Sequence, residues 1–335
     1  MTDIPPSAER TPDEIVVSII NYRTGDLTLD CVASVLADFQ ASAITAGHVV
    51  VVDNASGDGS DDQIADWIAA HPEAPVTLVR SPVNGGFSDG HNRGMAARKA
   101  QFYLILNSDA VLRPGFCQAI LTAAAAHPDA GLLAPQLEDP DGTIQTSNFR
   151  RPSPASEVIR GARTGLVTRL LRRWDVPIAP PVPTGAADWA SFACILLRGR
   201  MVDAIGPMDD GYFLYFEDTE YCLRAQRAGW DLVHVPQARA VHFRGGSGPV
   251  KAMERARRRL PRYFYESRAR IFRQTYGPTG PVLANLGWYL GRGVAEMRRL
   301  IGKPVGPPIA HEARDIWIDG WRAGRHPDRG DGGMP

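Results

Sequence analysis

Cysteine is scarce in this chain, and an excess of charge of either sign is absent. Four cysteines occur among 335 residues, far apart and without a C-x-x-C pair, so the usual zinc spacings are excluded. Basic and acidic side chains number 37 each, which gives no global argument for binding nucleic acid. Sparse, unpaired cysteines are typical of a reducing compartment, and we expect a cytoplasmic location.

Long apolar runs are also absent. No segment reaches the roughly 18 apolar residues that a membrane-spanning helix needs. Residues 1–13 are polar and contain proline, unlike a signal peptide. The nearest candidate span, 274–291, contains six glycines and prolines, and its apolar part, 282–290, is too short to cross. We therefore expect a protein that is soluble or attached to a membrane surface.

Short β-branched runs alternate with amphipathic segments from residue 14 onwards. The runs predict strands, the apolar spacing predicts helices, and the alternation predicts right-handed βαβ units in a mostly parallel sheet. The predicted strands are 14–20, 48–53, 76–80 and 102–106, and the predicted helices are 27–39, 60–71 and 90–100. A second block, 188–242, contains predicted strands 193–197 and 232–235 and helix 219–228, whereas 145–182 predicts a variable loop or short helices.

Composition predicts four parts of the chain. They are a flexible N-terminus (1–13), a main α/β domain (14–248, with halves 14–135 and 136–248), a basic helical extension (249–323) and a disordered tail (324–335). Residues 251–273 contain nine basic and two acidic side chains and precede the apolar run 282–290. This pattern predicts a membrane-surface element within 251–300, although a solvated helix face packed on the main domain explains it equally well.

Polar side chains follow three of the predicted strands. Asn21 and Tyr22 follow the first, Asp53 follows the second, and Asn107 and Asp109 follow the fourth. In parallel α/β sheets, ligands bind beyond the carboxyl ends of the strands. Three polar strand ends in succession therefore predict a nucleotide site.

Four motifs make this prediction more specific. They are VVVDNASGDGS at 50–60 with NGGF at 84–87, LNSD at 106–109, FLYFEDTE at 213–220 and AVHFRGGS at 240–247. In this order and spacing they resemble family 2 glycosyltransferases over about 15–247, and the pattern is most similar to rhamnosyltransferase-like members. The resemblance implies a GT-A-type, Rossmann-like, mostly parallel sheet flanked by helices, with a C-terminal helical extension. It also implies inverting transfer from a nucleotide-diphosphate sugar, with a dTDP or UDP donor.

The resemblance assigns several residues to the nucleotide sugar. Asp53 stands where members of the family hydrogen-bond the pyrimidine base, and Tyr22 stands where an aromatic ring stacks on it. Asn84 and Gly85 belong to a turn that can bring backbone N–H groups close to a ligand. A helix cap or turn former at Asp53, and a plain tight turn at Asn84, remain alternatives.

A divalent metal, Mg²⁺ or Mn²⁺, is implied for neutralising the departing diphosphate. Asp109 is the expected ligand, and the resemblance adds His242, whose imidazole favours Mn²⁺. Asn107 replaces the first acid of the family's Asp-X-Asp signature. Because an amide carries no charge, we expect lower metal affinity.

The acceptor side is assigned to the acidic pair Glu217-Asp218 and to Trp189. Inverting transfer needs a carboxylate to take the proton of the acceptor hydroxyl, and the family pattern gives this role to Asp218. Glu217 is then expected to orient the acceptor, and Trp189 to pack on the acceptor sugar. Helix capping by Asp218 and core packing by Trp189 remain alternatives. The expected acceptor is a glycan or a polyprenyl-diphosphate-linked saccharide of cell-surface polysaccharide synthesis, used at the inner face of the plasma membrane.

Three other functions are weighed against this one. A sugar nucleotidyltransferase would carry a glycine-rich phosphate loop after the first strand, and residues 21–25 (NYRTG) lack it. A dinucleotide-dependent oxidoreductase would carry G-x-G-x-x-G after a strand, which does not occur. A non-catalytic nucleotide-sugar-binding protein is favoured only by Asn107, whereas the retained Asp109, Asp218 and His242 favour an enzyme.

Overall fold

The structure is a computed structural model that describes residues 13–243 and 250–318. Its first half alternates strands and helices, which confirms the βαβ prediction, although α3 begins at Gly86, four residues earlier than predicted. The elements are β1 (Asp13–Asn21), α1 (Gly25–Ala41), β2 (Gly47–Asp53), α2 (Ser60–Ala70), β3 (Val76–Arg80), α3 (Gly86–Ala97) and β4 (Ala100–Asn107).

The second half contains short elements as well as the predicted strands and helix. It adds α4 and β6, which the sequence pattern did not indicate. The elements are β5 (Ala110–Leu112), α4 (Phe116–Ala126), β6 (Ala130–Glu138), β7 (Asn148–Phe149), α5 (Pro154–Ala162), α6 (Gly165–Leu170), a 3₁₀ turn (Arg172–Trp174), β8 (Trp189–Ala190), β9 (Cys194–Arg198), α7 (Gly199–Ile205), α8 (Glu217–Arg227) and β10 (Asp231–His242).

Four helices form the C-terminal extension over its described residues. They are α9 (Val250–Arg255), α10 (Arg262–Tyr276), α11 (Gly280–Leu300) and α12 (Glu312–Asp315). The boundary predicted at 248, the predicted tail 324–335 and most of the predicted N-terminus lie outside the described residues. Among the helices described, none is both long and apolar enough to cross a membrane.

One eight-stranded sheet organises the described chain, in the order β3-β2-β1-β4-β9-β6-β10-β5. Six strands run in the same direction, and β9 and β5 run against them, so the sheet is mostly parallel as predicted. A separate two-stranded ribbon pairs β7 with β8.

Alternating side chains of the strands fill two cores, one on each face of the sheet. Ile15 and Val17 belong to the core that α1, α2 and α4 cover. Val16 and Val52 belong to the opposite core, which α7 and α8 cover. Both faces are apolar because helices cover both, and this explains why the strands read as continuous β-branched runs.

The C-terminal extension packs on α5. Gly287 and Gly291 of α11 lie so close to α5 that a Cβ at either would overlap a backbone carbonyl, of Pro154 or Val158. Nearby, the fully buried guanidinium of Arg268 donates to Glu157 Oε2 at 2.7 Å.

Charge is balanced at this buried contact. Burial alone would raise the pKa of Glu157, but Arg160 and Arg268 outweigh that effect and lower it. Asn285 of α11 adds its Oδ1 as an acceptor for Arg268 at 2.8 Å. Close backbone contact and a buried ion pair therefore fix α10 and α11 against the main domain.

Candidate functional site

The polar ends of three parallel strands lie side by side at one edge of the sheet. Asn21 at the end of β1 is in register with Asp53 at the end of β2, and Ile20 is in register with Asn107 at the end of β4. This edge is where a ligand binds in open α/β sheets. The predicted nucleotide-binding side chains from the first half of the chain are thus collected at one place.

Asp53 is buried and occupied by protein hydrogen bonds. Its Oδ1 accepts from Asn21 Nδ2 at 2.7 Å, and its Oδ2 accepts from the backbone N–H of Ser56 at 3.1 Å. The Ser56 hydroxyl donates to Oδ1 as well. Asp53 therefore shapes the turn after β2, and its contact with a base stays a prediction that requires the remaining acceptor capacity of the carboxylate.

Tyr22 is half-buried just after β1, and a cation lies beside it. The guanidinium of Arg23 is 5.2 Å from the ring centroid, and Arg23 Nε donates to the carbonyl of Ser56 at 3.0 Å. Sequence reasoning gave Arg23 no role. The available signal was an arginine directly after the first strand, because arginine binds phosphate well and this edge is expected to receive one.

The turn at Asn84 joins the two halves of the domain. Asn84 Oδ1 accepts from Gly86 N at 3.0 Å, and Gly86 has φ +83°, as the predicted tight turn requires. Phe87 N donates to the carbonyl of Phe213 at 2.8 Å. Because a Cβ at Gly86 would overlap that same carbonyl oxygen, only glycine permits this approach. The N–H of Gly86 is used inside the turn, so the proposed nucleotide contact of Asn84 and Gly85 stays a prediction.

Asp109 and His242 are brought together by the pairing of β5 with β10. Ala110 is in register with His242, and Asp109 accepts a backbone hydrogen bond from Phe243 at 2.9 Å. His242 Nε2 lies 3.4 Å from Asp109 Oδ1, and both side chains are buried. The two predicted metal ligands, 133 positions apart, thus form one pair.

Gln145 holds His242 in place, and sequence reasoning missed this residue. Gln145 Nε2 donates to the His242 carbonyl at 2.7 Å, and Gln145 Oε1 lies 3.4 Å from His242 Nδ1. If Nδ1 carries the proton toward the amide oxygen, Nε2 keeps its lone pair for a cation beside Asp109; in the other tautomer Nε2 donates to the Asp109 carboxylate. Gln145 also lines a cavity of about 280 Å³ together with residues 180–182. No signal in the sequence marked it, because it acts through a neighbour 97 positions away.

The pair fits a divalent metal as a partial donor set. Within residues 13–243 and 250–318, no group of three His, Cys, Asp or Glu side chains is placed to hold an ion. A carboxylate with an imidazole suits Mn²⁺ or Mg²⁺ when the remaining positions are filled by diphosphate oxygens and water. Asn107 is half-buried, and its backbone N–H donates to Ala193 O at 2.9 Å; a contact of its amide with a ligand stays a prediction.

A strained turn presents Glu217 and Asp218 at the start of α8. Tyr215 and Phe216, directly before the helix, have φ +73° and +69°. Left-handed conformations cost about 1–2 kcal/mol for a residue with a Cβ, and such strain is typical of functional sites. Asp218 Oδ1 accepts from the backbone N–H of Thr219 at 2.7 Å, so the carboxylate does lie at the helix N-terminus.

Glu217 is buried, and its Oε2 has no hydrogen-bond partner within the described residues. Burial, and to a lesser extent the neighbouring charge of Asp218, raise the pKa of Glu217 well above its usual range. Glu220, one turn further along, is bound by Arg224 at 2.9 Å. Glu220 is therefore engaged in structure, and the chemical roles of Glu217 and Asp218 stay predictions.

Trp189 has a visible structural role. Its indole stacks on Phe149, with ring centroids 4.1 Å apart, and its Nε1 donates to the carbonyl of Arg150 at 2.9 Å. Both contacts hold the β7–β8 ribbon together. Packing of Trp189 on an acceptor sugar stays a prediction.

A hydrogen-bonded chain connects the parts of the site. Asn21 Oδ1 accepts from the Thr24 hydroxyl at 3.2 Å, and that hydroxyl lies 3.1 Å from the hydroxyl of Ser108. Asp53 is thereby linked through Asn21 to the residue that precedes Asp109. The Phe87–Phe213 bond links the same half to the segment that leads to Glu217.

Comparisons with known proteins identify the family of the chain and similar proteins. Residues 12–277 match the model of a family described as "Glycosyltransferase like family 2". The N-acetylglucosaminyl-diphospho-decaprenol L-rhamnosyltransferase of Mycobacterium tuberculosis is 29% identical over 220 residues, which cover 59% of this chain and 67% of that protein. Rhamnosyltransferase WbbL of Escherichia coli is 38% identical over 56 residues, 17% of this chain and 21% of that protein.

Among solved structures, the mannosyltransferase PcManGT from Pyrobaculum calidifontis, in complex with GDP-Man and Mn²⁺, is similar in fold. Its TM-score is 0.55 at 14% sequence identity, covering 88% of this chain and 77% of that one. This likeness bears on the fold, which is GT-A-type.

Proposed function

We propose that this chain, which belongs to the glycosyltransferase-like family 2, transfers a sugar from a nucleotide-diphosphate donor to an acceptor hydroxyl with inversion. The observation that carries the proposal is the meeting of Asp109 and His242 beside the strand edge that holds Asp53. A carboxylate, an imidazole and a polar strand edge are parts that suit the departure of a diphosphate.

The donor is proposed to lie along this edge. Asp53 and Tyr22 contact the base, Asn84 and Gly85 the sugar-phosphate portion, and Asn107 the diphosphate. Arg23 supplies positive charge near the same edge. We propose L-rhamnose on a dTDP carrier, with UDP-sugars as the other candidates. The name of the Mycobacterium tuberculosis relative supports rhamnose, and the resemblance of the motifs supports it as well.

Asp109 and His242 are the residues that would hold Mg²⁺ or Mn²⁺. Such an ion acts as a Lewis acid that neutralises charge on the leaving diphosphate. The presence of Mn²⁺ in the PcManGT complex supports a metal here, although the likeness to that structure concerns the fold. Gln145 keeps the His242 ring oriented toward Asp109.

Asp218 is proposed as the base of the reaction. As the acceptor oxygen forms a bond to the anomeric carbon, its proton passes to Asp218, and the bond from that carbon to the diphosphate oxygen breaks. The N-terminus of α8 stabilises the ionised form of Asp218. Glu217, whose pKa is raised by burial and by the neighbouring Asp218, orients the acceptor by hydrogen bonding.

The proposed acceptor is a glycan or a polyprenyl-diphosphate-linked saccharide in cell-surface polysaccharide synthesis. Support comes from the Mycobacterium tuberculosis relative, whose name specifies an N-acetylglucosaminyl-diphospho-decaprenol substrate. Such an acceptor places the reaction at the cytoplasmic face of the plasma membrane. All four cysteines are free and buried, which is in keeping with a reducing compartment.

A donor screen followed by a transfer assay tests the proposal. Thermal unfolding is measured with dTDP-, UDP- and GDP-sugars, each with and without Mn²⁺, and we expect one nucleotide to raise the midpoint only with metal. In the transfer assay, Asp218→Asn is expected to lower turnover by about 100- to 10,000-fold while donor binding stays intact. Asp210→Asn, at an exposed acid eight positions earlier, is the matched control. Unchanged turnover in Asp218→Asn would refute the base, and no nucleotide-dependent shift would favour a non-catalytic protein.

A further inference from the structure

An apolar stripe runs along the outer face of α11. Its members follow one another at spacings of three, four and seven residues, so they share one side of the helix. They are between 46% and 69% exposed and are Leu283, Leu286, Leu290, Met297 and Ile301. Singly exposed leucines are ordinary, but a continuous stripe along a helix of 21 residues indicates a binding surface.

The opposite side of α11 is fully engaged. Gly287, Trp288 and Gly291 contact α5, and Ala295 is buried. The exposed stripe therefore does not come from a loosely placed helix. Rotating α11 to bury the leucines would place large side chains where α5 permits only glycine.

A second apolar and basic element follows α5 directly. Within α6 and its 3₁₀ turn, Leu166 and Leu170 are more than 70% exposed, and Arg169, Arg172 and Arg173 are exposed too. Residues 165–174 contain no acidic side chain. Trp174, stacked under Arg173 at 3.7 Å, adds an aromatic side chain of the kind enriched at membrane interfaces.

Three of the arginines that first suggested a membrane surface are used in ion pairs. Arg259 pairs with Asp315, Arg268 with Glu157, and Arg270 with Asp209, each at 2.7 Å. The pairs of Arg268 and Arg270 fasten the extension to the main domain, whereas the Arg259 pair lies within the extension. Among the exposed cations, those of α6 and its 3₁₀ turn lie in one short segment together with exposed leucines.

We propose that the outer stripe of α11 and the α6 segment form a docking surface for an anionic lipid bilayer, with both elements lying in the plane of the interface. The leucines enter the boundary between headgroups and acyl chains, and the arginines of 169–173 contact anionic headgroups. Charge complementarity and the combination of aliphatic, arginine and tryptophan side chains select a bilayer over a second copy of the chain. The surface is separate from the residues of the transfer reaction, so it stands or fails independently of the proposed function.

Co-sedimentation with vesicles tests this surface in the full chain. Vesicles of phosphatidylcholine alone are compared with vesicles containing phosphatidylglycerol, at low and high salt. Leu286→Gln with Leu290→Gln is expected to lower the partition coefficient by about tenfold or more on the anionic vesicles. Replacing Arg169, Arg172 and Arg173 by Gln is expected to remove the preference for phosphatidylglycerol and its dependence on salt.

Two matched controls and one further measurement complete the test. Ile144→Gln and Arg227→Gln change an exposed apolar and an exposed basic residue outside the two elements, and both should bind vesicles like the parent chain. Equal loss of vesicle binding in the controls and in the stripe variants, or no vesicle binding by the parent chain, overturns the proposal.

Light scattering without lipid gives the mass of each variant. A parent dimer that Leu286→Gln with Leu290→Gln converts to monomer would also overturn it, in favour of self-association. Donor-induced thermal shifts should be unchanged in every variant, which separates a failure here from a failure of the transfer site.

Discussion

Replacing Gly86 by alanine should separate the cost of an unusual backbone angle from the cost of a close approach. Gly86 has φ +83°, and a Cβ there would overlap the carbonyl oxygen of Phe213. Gly115 has φ +82°, and a Cβ there would meet nothing within 4 Å. The two glycines thus share a backbone angle and differ in their surroundings.

The expected magnitudes follow from these contacts. At Gly115, alanine should lower the free energy of unfolding by about 1–2 kcal/mol, the cost of a left-handed conformation. At Gly86 the same cost applies, and the backbone of residue 213 must also move away. That movement breaks the 2.8 Å bond from Phe87 N to Phe213 O, worth about 1 kcal/mol, and forcing a methyl group into a packed site adds about 1–3 kcal/mol. The total at Gly86 is about 3–6 kcal/mol.

Urea unfolding of the parent chain and of both variants, followed by circular dichroism, gives the two differences. Destabilisation by Gly86→Ala that matches Gly115→Ala within about 0.5 kcal/mol would refute the close approach. The transfer assay adds a second comparison. Gly86→Ala should lower turnover because the Phe213 segment leads to Glu217 and Asp218, whereas Gly115→Ala should not.

Three further predictions concern a carboxyl, an amide and a buried ion pair. Because the folded pKa of Glu217 is raised, the stability from its protonated form is present below about pH 4 and is lost as the pH rises through the folded pKa. Glu217→Gln should therefore gain stability over the parent chain in thermal scans as the pH rises above about 4; a constant difference would contradict this. Gln145→Leu should weaken Mn²⁺ binding by about 10- to 100-fold, measured by titration calorimetry with nucleotide present, because His242 loses its orienting partner; unchanged affinity would exclude that role. Arg268→Met should cost about 3–5 kcal/mol in urea unfolding, since it leaves Glu157 buried with one partner fewer; a loss under 1 kcal/mol would mean that Arg160 alone balances the charge.

Local sequence predicted much of the first half of the fold. The strands near residues 14–20 and 48–53 are β-branched, bounded by polar residues and buried on both faces, and the edge strand at 76–80 is short and bounded by polar residues, so their signal is strong. In contrast, α4 and β6 lie in an alanine-rich stretch whose apolar residues have no clear period. The position of β9 between β4 and β6 could not be predicted, because strand pairing over long sequence distances leaves no local mark.

The helical extension predicted over 249–323 contains α11, but the local signal for this helix is weak. Four glycines lie between 277 and 291, and glycine costs about 1 kcal/mol in a helix interior. In the structure, Gly287 and Gly291 are the residues that let α5 approach. Tertiary packing offsets the local preference, and no single-sequence pattern reports such packing.

Site residues could be predicted from the sequence where the residue type and its position in a strand or helix indicated the same function. Asp53 and Asp109 stand at strand ends, and the acidic pair stands at a helix start, so elementary rules indicate them. His242 was assigned by the resemblance, and Gln145 and Arg23 were assigned no role. Both act through a neighbour, Gln145 on an imidazole and Arg23 on an aromatic ring and a turn, and such roles become visible only with distances in hand.

The β5–β10 pairing determines when Asp109 and His242 meet during folding. Asp109 emerges early during synthesis and His242 near the end of the sheet, so the two meet only after β10 has paired with β5. Contacts of such long sequence separation form late, because the chain between them must first be ordered. A nascent chain that ends before residue 242 therefore lacks the imidazole, and the Asp109–His242 pair forms only when the last strand is in place. A ligand that needs both side chains would therefore stabilise the chain only after the sheet is complete.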